Sequence, residues 1–179
     1  MRSRSPHVAL AAASLLAAAC ASTTPSGPPD DAGIGVVTHV VDGDTLDVRV
    51  GGTEERVRLI GVDTPESVAP DRPVQCYGAE ASLYLASLVP EGTEVRLERD
   101  AEPRDQFGRL LAYVYRADDD LLVNLELVEQ GYADAVTYGD NEALYPDLVA
   151  AEARARDGGR GLWGVCGGPD VDIAPPPGR

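Results

Sequence analysis

Two short segments of the sequence concentrate carboxylates beside turn-forming residues. Asp42 and Asp44 belong to the first segment, and Asp63 and Glu66 belong to the second. Carboxylate and carbonyl oxygens, completed by water, form the hard oxygen sites that Ca²⁺ prefers. Each segment taken alone is more simply explained by a solvated or capping turn. A metal site therefore requires a fold that brings the two segments together.

Two arginines accompany these carboxylates. Arg58 precedes Asp63 by a few residues, and Arg109 follows a Phe-Gly pair. A guanidinium donates two parallel hydrogen bonds to phosphate oxygens, which suits it to a phosphodiester. Hydrolysis of such a bond needs an activated water, neutralised phosphate charge and help for the leaving oxygen. The alternative for either arginine is a surface ion pair, since the chain has 30 acidic residues.

The residues that other hydrolytic mechanisms need are missing. A serine triad requires a histidine, and His39 is the only histidine beyond the first 19 residues. The sequence has no phosphate-binding glycine loop of the Walker type. Zinc is a poor candidate because so few histidines and cysteines remain. Carboxylates, arginines and a hard metal ion are the chemistry that is left.

The elements that must position these residues are predicted from periodicity. Alternation and turn signals indicate five strands: Gly35–Val41, Thr45–Val50, Glu54–Ile60, Thr93–Glu98 and Leu110–Tyr115. Helical spacing indicates three helices: Tyr77–Leu88, Val123–Gln130 and Glu142–Arg156. This order predicts an α+β fold, a small five-stranded barrel with about three packed helices. If the first three strands are contiguous, the Asp42–Asp44 turn and the exit of the third strand meet at one end of the barrel.

The N-terminus has the form of an export signal. A short basic start leads into the apolar run Val8–Ala19, which is too short to span a bilayer as a helix. The run ends in small residues followed by Cys20, an arrangement similar to a bacterial lipoprotein cleavage site. We expect Cys20 to carry a lipid that anchors the protein in a membrane of the cell envelope. An ordinary signal peptide and a secreted protein are the alternative.

Composition divides the rest of the chain. Residues 20–32 and 167–179 are rich in Pro, Gly and small polar residues, so we expect a disordered tether and a disordered tail. Residues 33–166 suffice for one compact domain after the signal peptide 1–19, and a monomer is the default expectation. Beyond Cys20 the only cysteines are Cys76 and Cys166, which an oxidising compartment allows to pair. Two free thiols are the alternative.

The charge of the chain argues against a polyanionic partner. The sequence has 15 basic and 30 acidic residues, and all the basic residues are arginines. A formal net charge of −15 should repel nucleic acid at long range. Composition alone therefore does not predict a nucleic-acid substrate, and the motifs must outweigh it.

Six ordered motifs nevertheless resemble one family, the thermonuclease or staphylococcal-nuclease-like domain. They extend from about Gly35 to Trp163 and are Asp42–Thr45, Arg56–Glu66, Tyr77–Ser82, Asp105–Tyr115, Val123-Asn124 with Gln130-Gly131, and Gly161–Trp163. The resemblance implies a five-stranded OB-fold barrel. It also implies a calcium-dependent nuclease that cuts DNA and RNA with little sequence preference and leaves 3′-phosphate ends.

The resemblance implies a metal site to which each of the two carboxylate segments contributes one aspartate. Asp44 and Asp63 resemble the calcium carboxylates, and the carbonyl of Thr64 resembles a further ligand. Asp42 resembles an acid that helps to hold the site through water.

The resemblance also implies catalytic residues. Glu66 resembles the residue that orients or deprotonates the attacking water. Arg58 and Arg109 resemble the pair that holds the scissile phosphate, and Arg109 also resembles a group that assists the leaving oxygen. Aromatic residues that pack on a bound base are only partly represented, by Tyr132 and Tyr138.

Several departures from the family bear on substrate affinity. The chain is acidic and lacks lysine, and Gln106 and Phe107 stand where the family often has lysine and tyrosine.

Two other functions stay open at this point. One is an OB module that binds nucleic acid without cutting it, although such modules favour exposed aromatics in a basic groove. The other is an envelope lipoprotein in which Ca²⁺ serves only stability.

Overall fold

A computed structural model describes residues 31–67 and 73–174 of the chain. The predicted signal peptide, Cys20, most of the expected tether and the last five residues lie outside the described residues. The strands are β1 Asp31–Val40, β2 Thr45–Val50, β3 Thr53–Leu59, β4 Val62–Asp63, β5 Val74–Gln75, β6 Glu94–Glu98, β7 Leu110–Arg116, β8 Asp134–Ala135 and β9 Asp172–Ala174. The helices are α1 Gly78–Leu88, α2 Val123–Glu129, α3 Tyr145–Asp157 and α4 Leu162–Val165.

Five strands close into a barrel in the order β1-β2-β3-β7-β6. The β3–β7 pair is parallel, and the other pairs, including the closing β6–β1 pair, are antiparallel. This confirms the predicted α+β fold with a five-stranded OB-like barrel. In the described part of the chain four helices accompany the barrel, of which α4 has only four residues.

The core follows from alternation along the strands. In β6, Val95 and Leu97 are fully buried, whereas the charged residues on either side of them are not. Helices α2 and α3 add apolar faces, with Leu127 and Leu148 completely buried.

In the described part of the chain, no helix is long and apolar enough to cross a membrane.

Some observed boundaries differ from the predicted ones. Strand β1 begins at Asp31 rather than Gly35, because Asp31 pairs with Glu98 of β6. This places residues 31 and 32 in the barrel and not in the expected tether. Helix α3 begins at Tyr145 rather than Glu142, with a proline in its first turn.

The expectation of a disordered tail is wrong for part of residues 167–179. Strand β9, Asp172–Ala174, pairs with β5 in a small antiparallel sheet. The same region contains a disulfide between Cys76 and Cys166, as the sequence analysis expected. Cys76 directly follows β5, so the disulfide and the strand pairing join the same two parts of the chain.

Candidate active site

A cleft of about 830 Å³ lies between the β1–β2 turn, the segment after β3 and the loop before β7. Seven of its lining residues are those that the sequence analysis assigned to metal binding and catalysis: Asp42, Asp44, Arg58, Asp63, Thr64, Glu66 and Arg109. The fold therefore brings together side chains that are up to several dozen residues apart in the sequence. Their roles in catalysis stay predictions.

The two carboxylate segments meet because Gly43 lacks a side chain. A Cβ atom at Gly43 would lie 2.6 Å from Thr64 Oγ1 and 2.9 Å from the Cβ of Ala81 in α1. Any side chain here would separate the β1–β2 turn from the segment after β3. The Asp-Gly-Asp motif thus reflects close packing as well as a tight turn.

Asp44 lies at the junction of the two segments and is only 6% exposed. Its Oδ2 accepts hydrogen bonds from the Thr64 amide at 3.1 Å and the Thr64 hydroxyl at 3.0 Å. Its Oδ1 accepts from the hydroxyl of Thr45 at 3.0 Å. These bonds hold one carboxylate in a defined orientation in the cleft, as a metal ligand requires.

Arg58 lies between the two predicted calcium carboxylates. Its Nη1 is 3.2 Å from Asp44 Oδ2, and its Nη2 donates to Asp63 Oδ1 at 2.8 Å. Nη1 also donates to the carbonyls of Leu59, at 3.2 Å, and Val62, at 2.8 Å. The side chain of Arg58 is 10% exposed, so its charge is held in place by these contacts. The arginine compensates two carboxylates that would otherwise repel each other.

Asp42 completes the acidic group on the turn. Its Oδ1 accepts the Asp44 amide at 3.1 Å. Burial raises the pKa of Asp42 above its ordinary value, and the negative charge of Asp44 raises it further.

Asp134 of β8, which the sequence analysis did not single out, lies opposite Asp63 of β4. Burial, with the charge of Asp63, raises the pKa of Asp134 to about 6.

Arg109 also lines the cleft and is held there by Asp105, a residue to which the sequence did not assign a role. Its Nε donates to Asp105 Oδ2 at 2.6 Å, while Asp105 Oδ1 accepts the amides of Arg109 and Phe107, each at 2.9 Å. Burial alone raises the pKa of Asp105, but the hydrogen bonds from Arg109 outweigh it and leave the pKa below its ordinary value. Asp105 therefore stays charged and orients the guanidinium.

The aromatic residues divide into two groups. Phe107 and Tyr138 line the cleft and are 74% and 62% exposed. Tyr132, by contrast, stacks on Tyr84 with ring centroids 3.9 Å apart and also contacts Tyr77. Of the two tyrosines expected to pack on a base, the structure places only Tyr138 at the cleft, because Tyr132 is used in packing between helices.

The donor atoms that the cleft offers to a metal ion are oxygens. Within residues 31–67 and 73–174, no three acidic, histidine or cysteine side chains form a metal site by themselves. A cation here would depend on Asp44 and Asp63, both already directed at one positive charge, and on carbonyl and water oxygens. Such an all-oxygen set suits a hard cation. For Thr64, the contacts seen are those of its amide and hydroxyl with Asp44.

Comparison with known proteins identifies the family of the chain. The family described as "Staphylococcal nuclease homologue" matches residues 56–165. The chain is 41% identical over 128 residues to a thermonuclease of Staphylococcus intermedius, covering 72% of this chain and 74% of that protein. It is 37% identical over 147 residues to a thermonuclease of Staphylococcus hyicus, covering 78% and 85%. Endonuclease YncB of Bacillus subtilis is 37% identical over 131 residues, covering 72% and 61%.

The relatives, the barrel and the cleft favour an enzyme over a binding module that does not cut. The catalytic candidates Arg58, Glu66 and Arg109 all line the same cleft as the two predicted calcium carboxylates. The chain belongs to the staphylococcal nuclease family and is a nuclease that hydrolyses phosphodiester bonds in nucleic acid.

Proposed function

We propose that this nuclease requires Ca²⁺, cuts DNA and RNA with little sequence preference and leaves 3′-phosphate ends. The observation that carries the proposal is the convergence of three carboxylates, Asp44, Asp63 and Glu66, and two arginines on one cleft. Little sequence preference follows if the enzyme contacts mainly phosphate, which is the same in every nucleotide.

The charge of the cleft supports the need for a cation. Its lining contains seven carboxylates and three arginines, so an additional phosphate would be repelled. Arg104 is already paired with Glu55 at 2.8 Å, and Arg109 with Asp105. When held by Asp44, Asp63 and the carbonyl of Thr64, Ca²⁺ would supply the positive charge that neutralises the phosphate.

The side chains divide the remaining work. Glu66 orients the attacking water and takes a proton from it. Attack on phosphorus breaks the bond to the 5′ oxygen, which accepts a proton and departs, so the phosphate remains on the 3′ side. Arg58 and Arg109 donate hydrogen bonds to phosphoryl oxygens as their negative charge increases, and Arg109 also assists the leaving oxygen. Asp42 helps to hold the metal site through water.

Cleavage of single-stranded DNA by the chain from Cys20 onward tests this proposal. The reaction is run with Ca²⁺, with EGTA, and with Mg²⁺ in place of Ca²⁺, beside a Glu66→Ala control. We expect cutting with Ca²⁺, loss of cutting with EGTA, and restoration when Ca²⁺ is added back. Fragments should be extended by a polymerase only after a phosphatase has removed their 3′-phosphates. Equal cutting with EGTA, or wild-type turnover by Glu66→Ala, would contradict the mechanism.

We also propose that the nuclease is exported and anchored to a membrane of the cell envelope by a lipid on Cys20. The sequence pattern around residues 17–20 supports this proposal. One acyl chain anchors only weakly, whereas several chains on one cysteine anchor stably. Expression of the full chain in a bacterial host, followed by fractionation, should find the protein with membranes. The Cys20→Ser variant should leave that fraction, and an unchanged distribution would contradict lipidation.

A further inference from the structure

Glu66 lies between β4 and β5 in a segment that is neither helix nor strand. Its backbone is instead held by Gln75 of β5. The Gln75 amide donates to the Glu66 carbonyl at 2.8 Å, and the Glu66 amide donates to Gln75 Oε1 at 2.7 Å. Both backbone polar groups of Glu66 are thus bonded to the same residue, which restrains the peptide planes on either side of it.

Helix α1 restrains the same backbone from another direction. A Cβ atom at Gly78 would lie 2.7 Å from the Glu66 carbonyl oxygen and 2.7 Å from the Pro65 carbonyl oxygen. The start of the helix therefore packs directly on the segment that carries Glu66. Movement of the Glu66 backbone requires either a break in the bonds to Gln75 or a shift of this helix.

The side chain of Gln75 is itself held by the C-terminal arm, residues 167–174. Gln75 Nε2 donates to Asp170 Oδ1 at 3.2 Å. Because Oε1 accepts the Glu66 amide, Nε2 is the side-chain group left to donate to the Asp170 carboxylate. The amide of Cys76 donates to the carbonyl of Val171 at 2.7 Å, and β5 pairs with β9.

The Cys76–Cys166 disulfide fixes the base of this arm to the residue that follows Gln75. Glu66, Gln75 and Asp170 all line the catalytic cleft. The covalent bond, the strand pairing and two side-chain hydrogen bonds therefore form one continuous connection from the arm to Glu66.

We propose that Gln75 is a positioning residue, which uses the C-terminal arm to hold Glu66 where it activates water. The inference rests on the proposed function, since it assumes that Glu66 acts on the attacking water. Misplacement of a reacting group by about 1 Å costs up to about 10²-fold in rate. A positioning role affects the chemical step and leaves phosphate and metal binding unchanged, because the Gln75 side chain bonds to the Glu66 backbone and to Asp170.

The test compares Gln75→Leu, which removes both side-chain hydrogen bonds at similar size, with Glu66→Ala and wild type. We expect kcat of Gln75→Leu to fall by about 10- to 100-fold. The KM for single-stranded DNA and the Ca²⁺ concentration for half-maximal activity should stay at the wild-type values. Thermal unfolding measured by circular dichroism reports whether the variant remains folded at the assay temperature.

A second pair of variants separates the two ends of the side chain. Gln75→Glu keeps an acceptor for the Glu66 amide but places a carboxylate against Asp170, so its kcat should also fall. Adding Asp170→Asn supplies an amide donor to that carboxylate, and we expect the double variant Q75E/D170N to recover most of the lost kcat. Rescue of this kind identifies the hydrogen bond itself, which a general loss of packing does not reproduce.

The outcomes distinguish the inference from the function on which it rests. Wild-type kcat in Gln75→Leu, with Glu66→Ala inactive, would overturn the positioning role and leave the function intact. Wild-type turnover in Glu66→Ala would overturn the proposed role of Glu66 itself. A raised KM or a shifted Ca²⁺ requirement in Gln75→Leu, without rescue in Q75E/D170N, would show a purely structural residue. If Gln75→Leu does not fold, the rescue decides alone: recovery supports the proposal, and no recovery overturns it.

Discussion

Arg58 makes structural contacts in addition to its proposed catalytic role. It contacts Asp44 and Asp63 and donates to two backbone carbonyls at the end of β3. A buried cation with several acceptors is costly to remove, because the carboxylates it compensates remain buried. Arg109, paired with Asp105 and with a side chain 30% exposed, is freer to follow a substrate.

Replacement of either arginine by alanine should lower turnover by roughly 10²–10³-fold, as for the loss of one preorganised donor. Initial rates of single-stranded DNA cleavage at saturating Ca²⁺ measure the effect. Arg109→Lys is the matched control: it keeps the charge but loses the fork of donors, so its turnover should stay well below that of wild type.

Stability separates the two positions further. Arg58→Ala should also lower the midpoint of urea unfolding, since it leaves Asp44 buried beside Asp63 without a cation. Arg109→Ala should leave that midpoint nearly unchanged. Wild-type turnover in either alanine variant would remove that arginine from the mechanism.

At the scale of elements, small non-local pairings assemble the site around the barrel. Strand β4 pairs with β8 and β5 pairs with β9, each over two or three residues. The first pairing sets Asp63 opposite Asp134, and the second brings the C-terminal arm to the cleft. The barrel carries Asp42 and Asp44 on its β1–β2 turn, while these pairings help to set where Asp63 and Asp170 lie.

The disulfide that secures the second pairing should matter for stability. It joins cysteines 90 residues apart, and the chain-entropy model gives about 4.6 kcal/mol for a loop of that length. The double variant C76S/C166S should therefore unfold at a lower urea concentration than the oxidised protein. Reductant should shift the wild type toward the variant and leave the variant unchanged. Equal midpoints for oxidised protein and variant would contradict the prediction.

At the scale of the whole molecule, the negative charge opposes the substrate. A formal net charge of −15 and a cleft with more carboxylates than arginines both repel a polyanion. Screening by salt weakens repulsion between exposed charges beyond about 10 Å at 0.1 M ionic strength. Two explanations would reconcile this charge with a nucleic-acid substrate. Either the enzyme works at high ionic strength, where the repulsion is screened, or an enzyme anchored to a membrane meets its substrate without electrostatic steering.

A salt titration separates these two explanations. If screening is what allows binding, kcat/KM for single-stranded DNA should rise as NaCl increases from about 10 mM, where the screening length is about 30 Å. Ca²⁺ is kept saturating throughout, and the kcat measured at each point controls for effects on the chemical step. A rate that only falls as salt increases would contradict the screening explanation.

Much of the barrel could be predicted because its signals are local. Alternation in Glu94–Glu98 and the Asp-Gly-Asp turn before Thr45 indicate strands without knowledge of their partners. Strands β4, β5, β8 and β9 have two or three residues each, too few for any period to show. The composition of the β9 segment predicts disorder, whereas its order comes from pairing with β5.

The sequence by itself determined the residue types of the site, the export pattern, the succession of strands and helices, and the family resemblance. All of these depend on order along the chain, which is visible without a fold. The tertiary structure decided that Asp44 and Asp63 share Arg58, that Asp105 orients Arg109, and that Gln75 joins Glu66 to Asp170. These contacts depend on strand register and loop packing. Each one joins segments that are distant in the sequence, so its geometry depends on the whole fold and is not encoded in either segment alone.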